Sequence, residues 1–324
     1  MTIAQVTVND ALWAFSIEPE PTIPRLGRAT VSIPYPWLEG EPYAVKLVTS
    51  NGLAFAREVA IASAAPEPSP SFLLLFALLG VYVGVVPVFL GLLWFPLMRR
   101  LGRRAMDFFL ALTAGLLIFL GMDAVVEAVE LAGRVPGPFR GFSLIGLGML
   151  GAFGALVVVS KRSVSATSGK PEADRRLALA YLIALGIGLH NLGEGLAIGA
   201  AYALGELALG AFLVIGFALH NTTEGFGIVA PLARQGAPLR YLLALGLIAG
   251  LPTIVGTWLG GFVYSDIWAT LFLAIGAGAI FQVVYEIARL PGKEGPAWLL
   301  APASFAGLML GLLTMYATGL LVAA

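Results

Sequence analysis

Eight apolar stretches, each long enough to cross about 30 Å of hydrocarbon, limit this chain more than any other feature. They run approximately over residues 71–97, 106–130, 142–160, 176–201, 207–232, 240–263, 267–288 and 297–322. No water is available in a bilayer core to satisfy backbone N–H and C=O groups, so unbroken apolar runs of this length select helices that bond within themselves. The composition agrees. The chain is 59% hydrophobic and 12% charged, with a mean hydropathy of +0.90, against roughly 25% charged for a soluble domain. Its 40 glycines suit helices that approach one another closely. The expected fold is an all-α polytopic membrane protein with eight transmembrane helices.

Residues 1–66 read differently. Ala29 to Ile33 and Tyr43 to Val48 carry β-branched and aromatic residues in loose alternation, and Asn51-Gly52 leads into a further run over Leu53 to Ile61. Asn-Gly between two such runs is a strong hairpin signal. A small β domain of immunoglobulin-like type is expected, marginal alone at this size. A proline-rich tract from Ala64 to Pro70 follows, extended and semi-rigid. The division is therefore a β domain at 1–66, a linker at 67–70 and a membrane domain at 71–324. Met1 to Gln5 show no basic run ahead of an apolar core, so no cleavable signal peptide is expected.

Basic residues orient the helices. One set of connections holds Arg99, Arg100, Arg103, Arg104, Lys161, Arg162, Lys170, Arg175, Arg176, Arg234, Arg240, Arg289 and Lys293. The other set holds only Arg134 and Arg140 outside the β domain. Positive charge accumulates on the cytoplasmic side, so both termini and the β domain are expected outside the cytoplasm, in a multi-pass protein of the cell (inner) membrane. The connection from Ser160 to Arg176, rich in Ser, Lys and Arg, reads as a flexible cytoplasmic linker.

Two near-copies interrupt the fourth and fifth stretches, His190-Asn-Leu-Gly-Glu194-Gly195 and His220-Asn-Thr-Thr-Glu224-Gly225. The chain has 2 histidines, and both are here. His and Glu four residues apart share one helix face, and Asn191 or Asn221, about 100° round the helix from its His, can close one side of a polar groove. Stretch four ends and stretch five begins at a turn near Ala203 to Glu206. At 1.5 Å per residue both copies lie roughly 20–25 Å from that turn, at matching depth near the bilayer centre. Burying each acid there costs about 2.5–3.5 kcal/mol even on the lenient insertion scale, and every Lys and Arg sits at a membrane end. A cation is the partner left. Imidazole, carboxylate and amide oxygen suit a borderline divalent ion: Zn2+, Fe2+, Mn2+, Co2+ or Cd2+. The bland alternative is that these side chains hydrogen-bond the two helices together. That explains neither the duplication nor the ionisable character.

The net charge of zero provides no broad basic surface for nucleic acid. The absence of cysteine removes disulfides, thiolate metal sites and catalytic thiols.

The paired motif resembles the hallmark of the ZIP (ZRT/IRT-like) metal transporters, and its doubled His form looks most like their bacterial GufA-like branch. Thr113 to Leu117 resembles the family's Ala-Gly-Val-Met segment in span two. Gly276 to Ile280, followed by Glu286, resembles its Gly-Ala-Gly-Ala segment in span seven and the acid after it. The resemblance covers the eight spans and not the β domain. It implies a transporter carrying a divalent metal, zinc first, into the cytoplasm by alternating access, and a homodimer. It also implies that His190, Asn191, Glu194, His220 and Glu224 match positions of a central, often two-metal site.

The departures are specific. Gly193 and Thr222-Thr223 stand where members commonly carry Pro, so any kink must come from Gly or from Thr bonding back to the helix. Thr253 stands where span six usually offers a Glu to a second metal, and Leu117 replaces a Met. The usual His-rich tract of the third loop is missing. One strong metal position is expected, with at most one poor neighbour.

Other acids stay open. Asp123 and Glu127 could form an entrance that attracts cations, or a solvated face with Glu130. Glu286 could pass metal to the cytoplasm, or pair with Arg289 at i,i+3. Gly256 to Gly260 has small-xxx-small spacing, which marks a helix-packing face. Two rival functions remain. An intramembrane metal-dependent hydrolase would need three firm ligands, an open position and a placed base, yet there is no His-Glu-x-x-His and no obvious oxyanion donor. A metal-sensing receptor would work through the β domain, which lacks His and Cys.

Overall fold

The structure is a computed structural model that describes the chain except residues 26, 28, 60, 61, 63, 65, 66, 167–170, 206, 234, 235, 264, 290–294 and 324. Lys170, Arg234 and Lys293 of the charge pattern, Ile61 of the hairpin reading and Glu206 of the turn lie outside the described residues. The chain divides into two compact units, one holding Met1–Pro66 with Ala201–Leu207 and the other Glu67–Ala200 with Ala208–Ala324.

The smaller unit is built on hairpins. Strands β1 (Ile3–Val8) and β2 (Ala11–Trp13) meet through Asn9 and Asp10, both at positive φ, a conformation that Asn and Asp tolerate better than most residues. Strands β5 (Tyr43–Thr49) and β6 (Ala54–Val59) form the hairpin turned by Asn51-Gly52. Antiparallel pairing of β1 with β5 joins the two hairpins into a sheet of order β2-β1-β5-β6, while β3 (Ser16–Glu18) and β4 (Thr30–Ser32) form a separate pair. The strand reading of the sequence missed β1. Its register shifts between Ile3 and Gln5, so the buried Ile3, Val6 and Val8 do not alternate cleanly.

The larger unit is helical. Seven helical spans are long and apolar enough to cross a membrane among the described residues, and a shorter apolar helix, Pro302–Ala317, follows them. Span one is Pro70–Met98. The other principal helices are α4 (Arg103–Ala132), α5 (Gly141–Ala166), α6 (Glu172–Ala203), α7 (Leu207–Val229), α8 (Leu239–Phe262), α9 (Asp266–Ala288) and α10 (Pro302–Ala323). The N-terminal β region followed by apolar helices is as expected.

Two expectations are corrected. The stretch at 71–97 is not one regular helix: α1 (Pro70–Gly80) passes through a π-helical turn, Val81–Val85, into α2 (Val86–Leu92) and a short α3 (Phe95–Met98). Pro87 causes this. It has no N–H to return to the Val83 carbonyl, and its ring displaces the preceding turn; the Val86 N–H reaches back to the Val81 carbonyl instead. The flexible linker expected at 160–176 is also shortened, because α5 continues to Ala166 and α6 begins at Glu172, while residues 167–170 lie outside the described residues. The helical backbone continues past the apolar runs at both ends, which hydropathy alone could not register.

Glycines set how closely the helices approach. A Cβ on Gly256 would press on the Leu192 carbonyl of α6 and stand 3.0 Å from Gly195 Cα, and one on Gly260 would meet the Leu196 carbonyl. The small-xxx-small pair on α8 therefore faces Gly195 and Gly199 of α6, whose own Cβ positions fall on Thr253, Thr257 and Gly261. Gly91 of α2 faces Gly225 of α7 in the same manner, and Gly115, Gly307 and Gly311 line the seam between α4 and α10. Without a hydrophobic drive between helices in lipid, such van der Waals contact is what holds them. Replacing Gly256 by Val should lower the unfolding midpoint in detergent by several degrees, since overpacking costs about 1–3 kcal/mol. Gly146→Val, at a position with open space around its Cβ, should leave the midpoint unchanged.

Candidate metal centre

The six motif residues meet in one buried cluster on α6 and α7. His190 and Glu194 lie one helical turn apart, and the His190 Nε2 is 2.9 Å from Glu194 Oε1. His220 Nε2 donates to the same carboxylate oxygen across the helix pair, and the two imidazole rings stand 6.2 Å apart, centroid to centroid. Asn221 Nδ2 donates to Glu194 Oε2 at 2.9 Å. Glu194 is thus held by both histidines and one amide, and it aims both rings at one point. Ligand atoms of His190, His220 and Glu224 all lie within 4.8 Å of one another. All six side chains are buried.

Glu224 is the exception to this satisfaction. Neither carboxylate oxygen has a hydrogen-bond partner, and the Oδ1 atoms of Asn191 and Asn221 and the Thr253 hydroxyl are orphaned too. A buried polar group left unmade costs about 1–3 kcal/mol, and more when charged. Carboxylate, amide and hydroxyl oxygens of this kind are atoms able to ligate a hard or borderline cation.

Neighbouring spans fix this cluster. The Asn191 amide donates to the Ala249 carbonyl of α8 at 3.1 Å. The Asn221 amide donates to the Val83 carbonyl at 3.0 Å, the group that Pro87 leaves without a helical donor. Each motif copy therefore grips a different span through its Asn and packs on that same span through its final glycine, Gly195 on α8 and Gly225 on α2. This role of the amide nitrogens was missed from sequence, although a Pro four residues after an apolar Val was a readable signal. Thr222 and Thr223 bond back to the Ala218 and His220 carbonyls at 3.0 and 2.6 Å, as their place in the motif led one to expect. Gly276 admits His190: a Cβ there would be 3.2 Å from His190 Cα.

Two small cavities flank the cluster along α4. One of about 20 Å³, room for roughly one water, is lined by Asp123, Glu127, His190, Gly193, Glu194 and Phe217 among others. The second, about 10 Å³, is lined by Thr113, Leu116, Leu117, His220, Thr223, Glu224 and Met315, and Leu120 lines both. Asp123 and Glu127 are thus brought to the motif, on the side toward Ala132. Glu286 is not. It accepts from Gln282 Nε2 at 2.9 Å, and the pairing with Arg289 gives way because that guanidinium turns to the Tyr285 ring and hydroxyl.

A bundle of apolar helices closed around paired His, Glu and Asn side chains is the construction of a membrane protein that handles a divalent metal. The chain belongs to the family described as ZIP Zinc transporter, whose model matches residues 158–319, half of the chain. That match runs from the end of α5 into α10 and includes both motif copies. Family members are membrane transporters of divalent metals, generally zinc. No curated protein matches the chain.

Because Glu194 aims both imidazoles, Glu194→Gln should weaken zinc binding about 10–100-fold, the usual cost of losing a group that orients ligands. Glu130→Gln, at an exposed site on α4, should leave it within about twofold. Calorimetric titration of purified protein measures both.

Proposed function

We propose that this chain carries divalent metal, zinc first, across the cell membrane into the cytoplasm through a mid-membrane site on α6 and α7. His190, His220 and Glu224 would contact the ion, Glu194 would orient the rings and close the shell, and Asn191 and Asn221 would complete the polar wall. One observation carries this reading: Glu224 is buried with both oxygens unpartnered, within 4.8 Å of two imidazoles. An acid in that state at mid-membrane calls for a cation.

The distribution of Lys and Arg supports both termini and the β domain at 1–66 lying outside the cytoplasm. On that orientation Asp123 and Glu127 stand on the outer side of the cluster, where two acids raise the local cation concentration and serve as an entrance. The cavity at Thr113 and Leu117 lies on the inner side, and Glu286 at the inner end of α9 receives the ion as it leaves. The doubled His form supports kinship with the GufA-like branch. No observation favours a hydrolase, since among the described residues nothing beside the cluster supplies a placed base with a substrate cleft.

Zinc uptake into proteoliposomes tests the proposal. Intact protein should give a saturable flux, and His190→Ala combined with Glu224→Ala should reduce it to the level of empty vesicles. Full flux from the double variant, or none from the intact chain, rejects the reading.

A further inference from the structure

The sheet β2-β1-β5-β6 ends in a strand that little of the protein covers. β6 is exposed from Ala54 to Glu58, on both of its faces, and among the described residues no strand pairs with its outer edge. The apolar face of the sheet runs out in the same direction. Across it Val6 pairs with Leu47, and Leu47 with Phe55. Val6 is 0% exposed, Leu47 is half-buried and Phe55 is 50% exposed.

The ladder decides which backbone groups are free. The Thr49 N–H donates to the Leu53 carbonyl, and on the other side of β5 the Asn9 N–H donates to the Ala44 carbonyl. Bonded and non-bonded pairs alternate along an antiparallel ladder. The N–H and C=O groups of Phe55 and Arg57 therefore turn to β5, and those of Ala54, Ala56 and Glu58 turn outward. A row of such groups is a template for another strand. No proline or bulge interrupts it, since pairing with β5 is continuous from Val59 to Ala54.

We propose that β6 pairs antiparallel with β6 of a second copy of this chain, about a two-fold axis at Ala56. In that register Ala56 exchanges both backbone bonds with the partner's Ala56, and Ala54 does so with the partner's Glu58. On the apolar face Phe55 stands opposite the partner's Arg57, and Leu53 opposite the partner's Val59. Cation over ring and aliphatic on aliphatic are both favourable cross-strand pairs, and the two-fold makes each of them twice. Neighbouring registers are worse. A slip of two residues one way sets Arg57 against the partner's Arg57, and the other way sets it against Leu53. A charge on the apolar face of an edge strand ordinarily blocks pairing; here it rejects other strands and fits its own copy. The homodimer that the family resemblance implies names no surface, and the resemblance does not extend to the β domain that carries this one.

The chain has no cysteine, so introduced thiols report without background. Full-length protein in detergent, with divalent metal removed by a chelator, is oxidised with diamide and resolved on a non-reducing gel. Ala56→Cys should give a covalent dimer, because opposite residues of a bonded pair lie about 5.5 Å apart between Cα atoms, within disulfide reach. Lys46 pairs with Ala56 one strand further in. Lys46→Cys would stand about 14 Å from its mate and should link at least tenfold less, as should Ala54→Cys alone. Ala54→Cys and Glu58→Cys in one chain should link readily. Adding Ala56→Pro should cut that yield at least tenfold, since the proline removes only an outward N–H and leaves the bonds to β5 in place. Linking at Ala56 no greater than at Lys46, or Ala54–Glu58 links that survive Ala56→Pro, would overturn the proposal. The pairing owes nothing to the metal site, so a chain that links as described but carries no zinc would reject the transport reading alone.

Discussion

Everything at the centre of this protein depends on two carboxylates held where water is scarce. Glu194 is satisfied by two imidazoles and an amide. Glu224 is satisfied by nothing among the described residues. In a low dielectric an unpaired carboxylate is among the most expensive groups a fold can carry, and no Lys or Arg lies in the apolar part of α6 or α7. The asymmetry has a use. A site in which every acid were already paired by protein would have no affinity left for an ion, and one with no internal support would not hold its ligands in place.

The packing supports that arrangement. Motif copy one is fastened to α8 by Asn191 and Gly195, and copy two to span one by Asn221 and Gly225. Span one and α8 in turn cross at Gly84 and Gly250. Backbones come within van der Waals contact at each of these points, which sets the cluster on rigid elements instead of loops. Interrupted helices are tolerated at such depth because the freed carbonyls find side-chain donors, as the Val83 carbonyl finds Asn221.

Much of this was legible in the residues. Apolar runs bounded by charge located the helices, and counting from the turn near Ala203 put His190 and His220 at one level, as their shared contact with Glu194 requires. Asn51-Gly52 located the β5–β6 hairpin. What escaped is of one kind. The π-helical turn at Val81–Val85, the amides bonded to Val83 and Ala249, and the cavity shared by Asp123 and His190 all depend on which helices neighbour each other, and hydropathy carries no such information. The flexible linker expected between residues 160 and 176 came out shorter for another reason, since polar composition describes a helix end as well as it describes a loop, and α5 runs on to Ala166 and α6 starts at Glu172. Likewise Glu286 and Arg289 have i,i+3 spacing, but Gln282 and Tyr285 offered each a better-placed partner.

The central claim is that His190, His220 and Glu224 converge on one divalent ion. Anomalous scattering at the zinc edge, from crystals of the protein soaked in zinc, tests it most directly, because peak position and ligands are read together. The account predicts a single strong peak within bonding distance of His190, His220 and Glu224, with Glu194 completing the shell or hydrogen-bonded to both rings. A strong peak elsewhere in the membrane domain with none between those side chains would contradict it.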